Sequence, residues 1–293
     1  MRQRSNLESG FYKPAADRLD PSFRIVQDLA RDLTDGEIAF PTFINATLRI
    51  RRALADPQVD ADRVARTIAA EPLLAAKLVK MANSIALGAP GKPIADVRTA
   101  VLRVGYSNVQ AMAASVAMAQ LLVAKEMRSY LKVAEEVWRH SLDVAAIAFV
   151  LAKRLTKLNP DEALFAGLVH DVGRFYLLSK FPAYPELEAD TFALDGVLDD
   201  WHAPIGHAVL ATFGVTDAVL HAVAEHETIR HYDTLKTLTD VVALANVLSK
   251  CPNPLNRHDP GTRPLSEATN PEMLAVLESS GAELASLVAA LRE

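Results

Sequence analysis

Apolar positions recur every three or four residues through most of the chain, and each run is closed by glycine, proline or a short polar pair. Pro21 opens the first run, where Phe23, Val26, Leu29 and Leu33 share one helical stripe that Asp35-Gly36 ends. From Phe40-Pro-Thr42 to Leu122 the pattern predicts a succession of short helices. One covers Leu48–Leu54 and stops at Asp56-Pro57; the next covers Asp62–Ala70 with Val64, Ala65 and Ile68 inward. Pro72 opens a third, closing at Asn83-Ser84, and Leu87–Pro93 reads as a loop. Asp96 is the expected N-cap of a helix ending at Val104-Gly105, and Ser107 or Asn108 starts a long helix through Leu122.

The charged stretch Lys125–Glu136 joins this half to a second one. There the periodicity predicts helices over Val137–Leu155, Pro160–Val172, Trp201–Phe213, Thr216–Glu227 and Leu238–Leu248. Between residues 180 and 200 the pattern is weak, with Pro182, Pro185 and a run of acids, and predicts a loop with short helical pieces. Cys251-Pro-Asn-Pro through Pro264 reads as a loop, followed by one amphipathic helix over Pro271–Leu291. The expected organisation is an extension with one helix (1–36), a helical subdomain (37–124), a second helical subdomain (125–250), and a C-terminal loop with its amphipathic helix (251–293).

Composition agrees with a mainly α class: half of the residues are apolar and only 12 of 293 are glycine. A formal charge of −5 argues against a nucleic-acid binder that works by neutralising phosphates, and Arg49-Ile-Arg-Arg52 is too short to change that. Cys251 is the one cysteine, which excludes a disulfide framework and a thiolate metal site. Met1–Asn6 leads into no apolar run, so no secretory leader is expected. The most apolar window, Val109–Ala124, is interrupted by Gln110 and Gln120 and is shorter than the roughly 18–20 residues of a membrane span. A soluble, cytoplasmic protein is the expectation.

The polar residues inside these apolar helices carry the candidate chemistry. His170-Asp171 lies in Gly167-Leu-Val-His-Asp-Val-Gly-Arg174, among Phe165, Leu168, Val169 and Val172, which read as buried. His140 stands near the head of another apolar helix. A single histidine on an apolar face is ordinarily a satisfied core residue. Three polar groups able to meet in one helical core instead suit a metal centre assembled from facing helices. His202, His221 and His231 read as surface histidines. Asn83 and Ser84 read as caps of a helix end, with a docking contact as the alternative.

Beyond these, a set of short segments resembles a known family. They are Pro41, Glu71-Pro-Leu-Leu74, Asn83-Ser84, Ala100–Gly105, Trp138-Arg-His-Ser141, Ala163–Arg174, Gly206-His207 and Glu225-His226. In this order and spacing the second half resembles the HD superfamily, and residues 37–250 resemble an HDOD domain, a bacterial signal-transduction output module. The resemblance implies an all-α fold of two packed helical subdomains, the second an HD-type bundle. In HD phosphohydrolases a first His, the His-Asp doublet and a last Asp hold a divalent metal. The matching positions here are His140, His170, Asp171 and Asn246, so an amide stands where the family keeps a carboxylate. An ion that activates water and neutralises phosphate is held far better by carboxylates than by amides. Asp240 does not substitute, because six residues turn a helix by roughly 600° and leave it about 120° from Asn246. His207 and His226 fall where two-metal relatives, such as the HD-GYP phosphodiesterases, place further ligands, and Glu227 is a plausible ligand beside them. The Gly-Tyr-Pro signature of that group is missing, and Arg174 replaces its usual lysine.

Three readings follow. The favoured one is a non-catalytic regulatory module that needs no cofactor and works through contacts with a signalling partner protein. His140, His170 and Asp171 are then a vestigial polar network. The second is a phosphohydrolase acting on a nucleotide or cyclic dinucleotide, with a divalent metal among His140, His170 and Asp171 and a second site at His207 and His226. The third is a metal- or ligand-sensing module without turnover. None of the three calls for a nucleic-acid or membrane partner.

Overall fold

The computed structural model describes residues 21–34, 50, 60–84, 93–188, 190–212, 215–228, 231–255 and 269–292. The expected features at Asp35–Thr42, over Leu48–Leu54 apart from Ile50, in Gly88–Lys92 and in Asn256–Pro264 lie outside these residues. The described chain is all-α; a single isolated bridge, Tyr232 with Thr269, is its one β feature.

The helices form where the sequence supplies an apolar stripe and a start signal. They are α1 (Pro21–Thr34), α2 (Ala61–Ala69), α3 (Pro72–Ala82), α4 (Val97–Val104) and α5 (Tyr106–Leu122) in the first half. Asp60 and Asp96 cap α2 and α4, each accepting a hydrogen bond from the backbone N–H three residues on. Asn83, at the end of α3, donates to the Val79 and Ile94 carbonyls and accepts from the Ile94 N–H, clasping the chain that returns after the loop. Gly105 takes φ 80°, the left-handed region that turns α4 into α5.

The second half contains α6 (Leu131–Leu155), α7 (Pro160–Val169), α8 (Val172–Lys180), the one-turn α9 (Pro185–Glu188), α10 (Thr191–Thr212), α11 (Asp217–Glu225) and α12 (Leu238–Leu248). Three expectations are corrected here. The weak pattern of residues 180–200 belongs in part to α10, a continuous 22-residue helix that begins ten residues before Trp201. The helix expected from Val137 begins at Leu131, directly after a 3₁₀ segment over Lys125–Tyr130, so it takes in half of the charged stretch. The last amphipathic stretch is two helices, α13 (Pro271–Ser279) and α14 (Gly281–Arg292), bent by 65° at the break.

α6 is the central rod. Every residue from Val144 to Ala152 is buried, since α7, α12, α13 and α14 pack around it. α14 ties both halves together. Its Leu291 carbonyl accepts from Lys77 Nζ on α3 (3.0 Å) and Ser115 Oγ on α5 (2.7 Å), while Glu283 pairs with Lys153 (2.6 Å) and Arg154 (3.1 Å) on α6. Among the described residues no single helix is long and apolar enough to cross a membrane.

Two close helix crossings depend on glycine. A Cβ on Gly167 would lie 2.8 Å from the Ala145 Cα, so α7 rests on the backbone of α6. A Cβ on Gly173 would lie 1.9 Å from the His202 carbonyl oxygen and 2.7 Å from the Gly206 nitrogen, so α8 rests on the backbone of α10. A methyl group at Gly173 has nowhere to go without parting the two helices. We therefore expect Gly173→Ala to lower stability by about 3 kcal/mol or more. Gly196 is inside α10 with nothing within 4 Å of an added Cβ, so Gly196→Ala should gain up to about 1 kcal/mol from helix propensity. Thermal unfolding of the two variants beside the parent checks both signs.

Candidate metal centre

The two glycine contacts bring together side chains from five helices. Gly167 seats α7 on Ala145 of α6, which places His170, at the end of α7, against His140 of α6; the rings stand edge to face at 5.3 Å. Gly173 seats α8 on α10 beside His202, and His226 follows the last turn of α11. The four imidazoles form a row in the order His140, His170, His226, His202, the last two steps at 4.8 and 5.2 Å. All four are at most 2 % exposed, and Asp171 beside them is completely buried.

Each ring is held the same way. His140 Nδ1 lies 2.7 Å from the Cys251 carbonyl oxygen, His170 Nδ1 2.7 Å from Gly167, His202 Nδ1 2.7 Å from Leu198, and His226 Nδ1 2.8 Å from Val223. A carbonyl only accepts, so every Nδ1 carries the proton and donates it. A ring in its neutral form then presents Nε2 as a lone pair, and the Nε2 atoms converge on Asp171. His170 Nε2 lies 3.3 Å from Oδ2, while His226 and His202 lie 3.5 and 3.9 Å from Oδ1. Fixing of the outer nitrogen by a backbone carbonyl is the usual way a ligating histidine is aimed.

The Asp171 carboxylate is shared by two ligand groups. His140, His170 and Asp171 form one; Asp171, His202 and His226 form the other, and within each the candidate ligand atoms lie within 4.8 Å of one another. The first group has acceptors facing acceptors. His170 Nε2 is buried and has no hydrogen bond. His140 Nε2 lies 2.8 Å from Asn246 Oδ1, and burial, with the neighbouring charge of His170, pushes the His140 pKa down and keeps that ring neutral. Turning the Asn246 amide over relieves this contact but sets its oxygen against the His226 carbonyl, which now receives Nδ2 at 3.4 Å. A cation among these atoms satisfies all of them, so the donor set fits a divalent ion at His140, His170, Asp171 and Asn246. Held there, such an ion would supply Lewis acidity and lower the pKa of bound water.

The second group already contains a positive charge. Arg174, fully buried, donates from Nε to Asp171 Oδ1 (3.0 Å), from one terminal nitrogen to Glu227 Oε1 (2.7 Å), and from the other to the Leu255 carbonyl (3.0 Å). That last nitrogen also lies 3.6 Å from Asp199. Burial pushes the Asp171 carboxyl up, yet the charge of His170 when protonated and the permanent charge of Arg174 win and hold it well below the usual carboxylate range. Burial pushes the Glu227 carboxyl up, but the imidazoles of His202 and His226, when protonated, and the Arg174 guanidinium bring it down to about 2.

A strap over residues 249–255 closes the cluster. Asp143 anchors its start through Ser249 Oγ and the Lys250 N–H, both at 2.8 Å. The Cys251 carbonyl then receives His140, Asn253 Nδ2 donates to Asp171 Oδ2 at 2.6 Å, and the Leu255 carbonyl receives Arg174.

The expected site residues thus separate. His140, His170, Asp171, His226 and Asn246 meet, and Asp240 serves as the capping-box residue of α12, away from them. His207 is exposed on α10 and takes no part; His202, expected on the surface, occupies its place in the cluster. The reason is register. Leu198, His202, Ile205 and Val209 form the buried stripe of α10, and five residues of helix carry His207 off it. His221 and His231 are exposed, as expected. Asn83 acts as a helix-end clasp, and Ser84 beside it is buried with no hydrogen bond to its hydroxyl. Asn253 had no sequence signal beyond its loop.

The pKa of Glu227 lies below that of an exposed carboxylate, so its contribution to stability is complete above about pH 4.5 and fades as the pH falls toward about 2. Thermal melts between pH 2 and pH 7 should show this acid loss, and Glu227→Gln should flatten it; an acid limb identical to the parent's would contradict the ion-pair assignment.

A family model described as HDOD domain matches residues 40–229. An uncharacterized protein of Treponema pallidum (strain Nichols) is 26% identical over 234 residues, covering 75% of this chain and 44% of that protein, so the chain spans less than half of the relative's length. A putative metal-dependent phosphohydrolase from Shewanella amazonensis SB2B has a similar structure, with a TM-score of 0.67, 23% identity, and coverage of 94% of this chain and 99% of that one. An HDOD domain protein of unknown function from Geobacter sulfurreducens gives a TM-score of 0.57 at 24% identity, covering 92% and 99%.

Proposed function

The chain belongs to the HDOD family, and from that membership we propose that it is a cytoplasmic regulatory module of signal transduction, acting through contacts with a partner protein rather than by hydrolysing a phosphoester. One observation carries this reading: the carboxylate shared by both ligand groups is already neutralised from within by Arg174. A two-metal hydrolase needs anionic ligands to hold its ions and an open coordination position for substrate. Here the second of the two expected anionic ligands is replaced by the amide of Asn246, and the strap of residues 249–255 covers Asp171. A phosphodiester would have to displace Asn253 to reach that carboxylate. The cluster is read as a degenerate HD site that still admits an ion and no longer turns over substrate.

The second reading, a metal-dependent phosphohydrolase, is favoured by the convergence of four correctly aimed Nε2 atoms and the unsatisfied Nε2 of His170. The similar Shewanella amazonensis structure bears that description, though at an identity that speaks for fold alone. One experiment separates the two. Protein supplied with manganese is assayed against linear and cyclic dinucleotides and a generic phosphodiester. The regulatory reading predicts no turnover above background; turnover that disappears in His170→Ala contradicts it. Restoring the missing charge with Asn246→Asp should tighten manganese binding at least about tenfold, because affinity in oxygen-rich sites follows ligand charge. Titration calorimetry of that variant beside the parent measures the change.

A further inference from the structure

The two ligand groups that share Asp171 are not equivalent, and the difference lies in one side chain of this chain. On the Oδ2 side stand His140, His170 and Asn246; His170 Nε2 lies 3.3 Å from that oxygen, which accepts a hydrogen bond from the neutral amide of Asn253. On the Oδ1 side stand His202 and His226, and there the Arg174 guanidinium lies 3.0 Å from the carboxylate and bridges it to Glu227. Glu227 in turn sits 3.3 Å from His202 Nε2, so the anion a second metal ion would use is already engaged by Arg174.

The geometry points to Arg174 as a built-in cation that takes the place of a second metal ion, leaving the cluster able to hold one divalent ion, on the His140–His170 side of Asp171. Charge supports the same count. Asp171, Glu227 and Asp199 are three carboxylates around one guanidinium, which leaves two negative charges, the complement of a single divalent ion. Placement follows from repulsion: an ion among Oδ1, His202 and His226 would share its carboxylate oxygen with a guanidinium in direct contact, whereas Oδ2 receives only the neutral Asn253 amide and the His170 Nε2 beside it has no hydrogen bond. Guanidinium is permanently charged, so this substitution does not lapse at any pH at which the fold persists. The inference rests on the reading that the cluster admits an ion and is independent of whether the protein is catalytic.

The test is manganese stoichiometry, by equilibrium dialysis with elemental analysis, together with electron paramagnetic resonance of the bound ion. The full chain should hold one manganese with the spectrum of an isolated ion. His170→Ala should lose it and His202→Ala should retain it. Arg174→Met should bind a second ion and show the signature of an exchange-coupled pair. Two coupled ions in the parent protein, none at all, or one that is lost in His202→Ala and kept in His170→Ala would each overturn the inference. So would a folded Arg174→Met protein, checked by circular dichroism, that still takes up only one. If that variant does not fold, the parent and the two histidine variants decide the matter. Phosphodiesterase turnover by the manganese-loaded protein would sink the regulatory reading without touching this one.

Discussion

The contact between Arg174 and Asp171 sets the terms for the rest of the second half. Both groups have no solvent exposure, and they are three residues apart across the start of α8. A buried carboxylate without a partner is costly, and removing one member of a buried pair typically costs about 3–5 kcal/mol because the other is left uncompensated. The pair is extended rather than isolated: Glu227, Asp199 and the Leu255 carbonyl take the remaining donors of the guanidinium, and Asn253 takes the second carboxylate oxygen. The strap and the turn after α11 are held to the core through these charges. The ion pair is therefore a structural fastener and an electrostatic setting of the histidine row at once.

The row exists because backbones, not side chains, make the decisive contacts. Gly167 and Gly173 flank the His-Asp doublet and allow α7 and α8 to touch α6 and α10 closely enough for imidazoles from four directions to face one carboxylate. The doublet itself falls in the break between α7 and α8, so its side chains leave the chain where two helices diverge. The glycine two residues after His-Asp is the floor of a helix crossing.

Much of this was legible in the sequence, and the failures have physical causes. The helical class, the cap at Asp96, the start at Pro160, the helix Leu238–Leu248 and the meeting of His140 with His170-Asp171 follow from apolar period and turn chemistry. His202 was missed because the prolines and acids before Trp201 hid the start of α10; with the helix extended back to Thr191, the stripe Leu198, His202, Ile205 would have selected it over His207. Asn253 could not be found, since a loop side chain that reaches across 82 residues of sequence leaves no periodic trace. The bend between α13 and α14 was also invisible, because both helices keep an apolar face through the break.

What remains central is that this cluster carries its own cation beside Asp171. Anomalous diffraction at the manganese edge, from crystals grown with excess manganese, examines it most directly. The account predicts one peak, enclosed by His140, His170, Asp171 and Asn246, with Arg174 still on the opposite carboxylate oxygen. Two peaks flanking Asp171, with Arg174 displaced from it, would contradict the account.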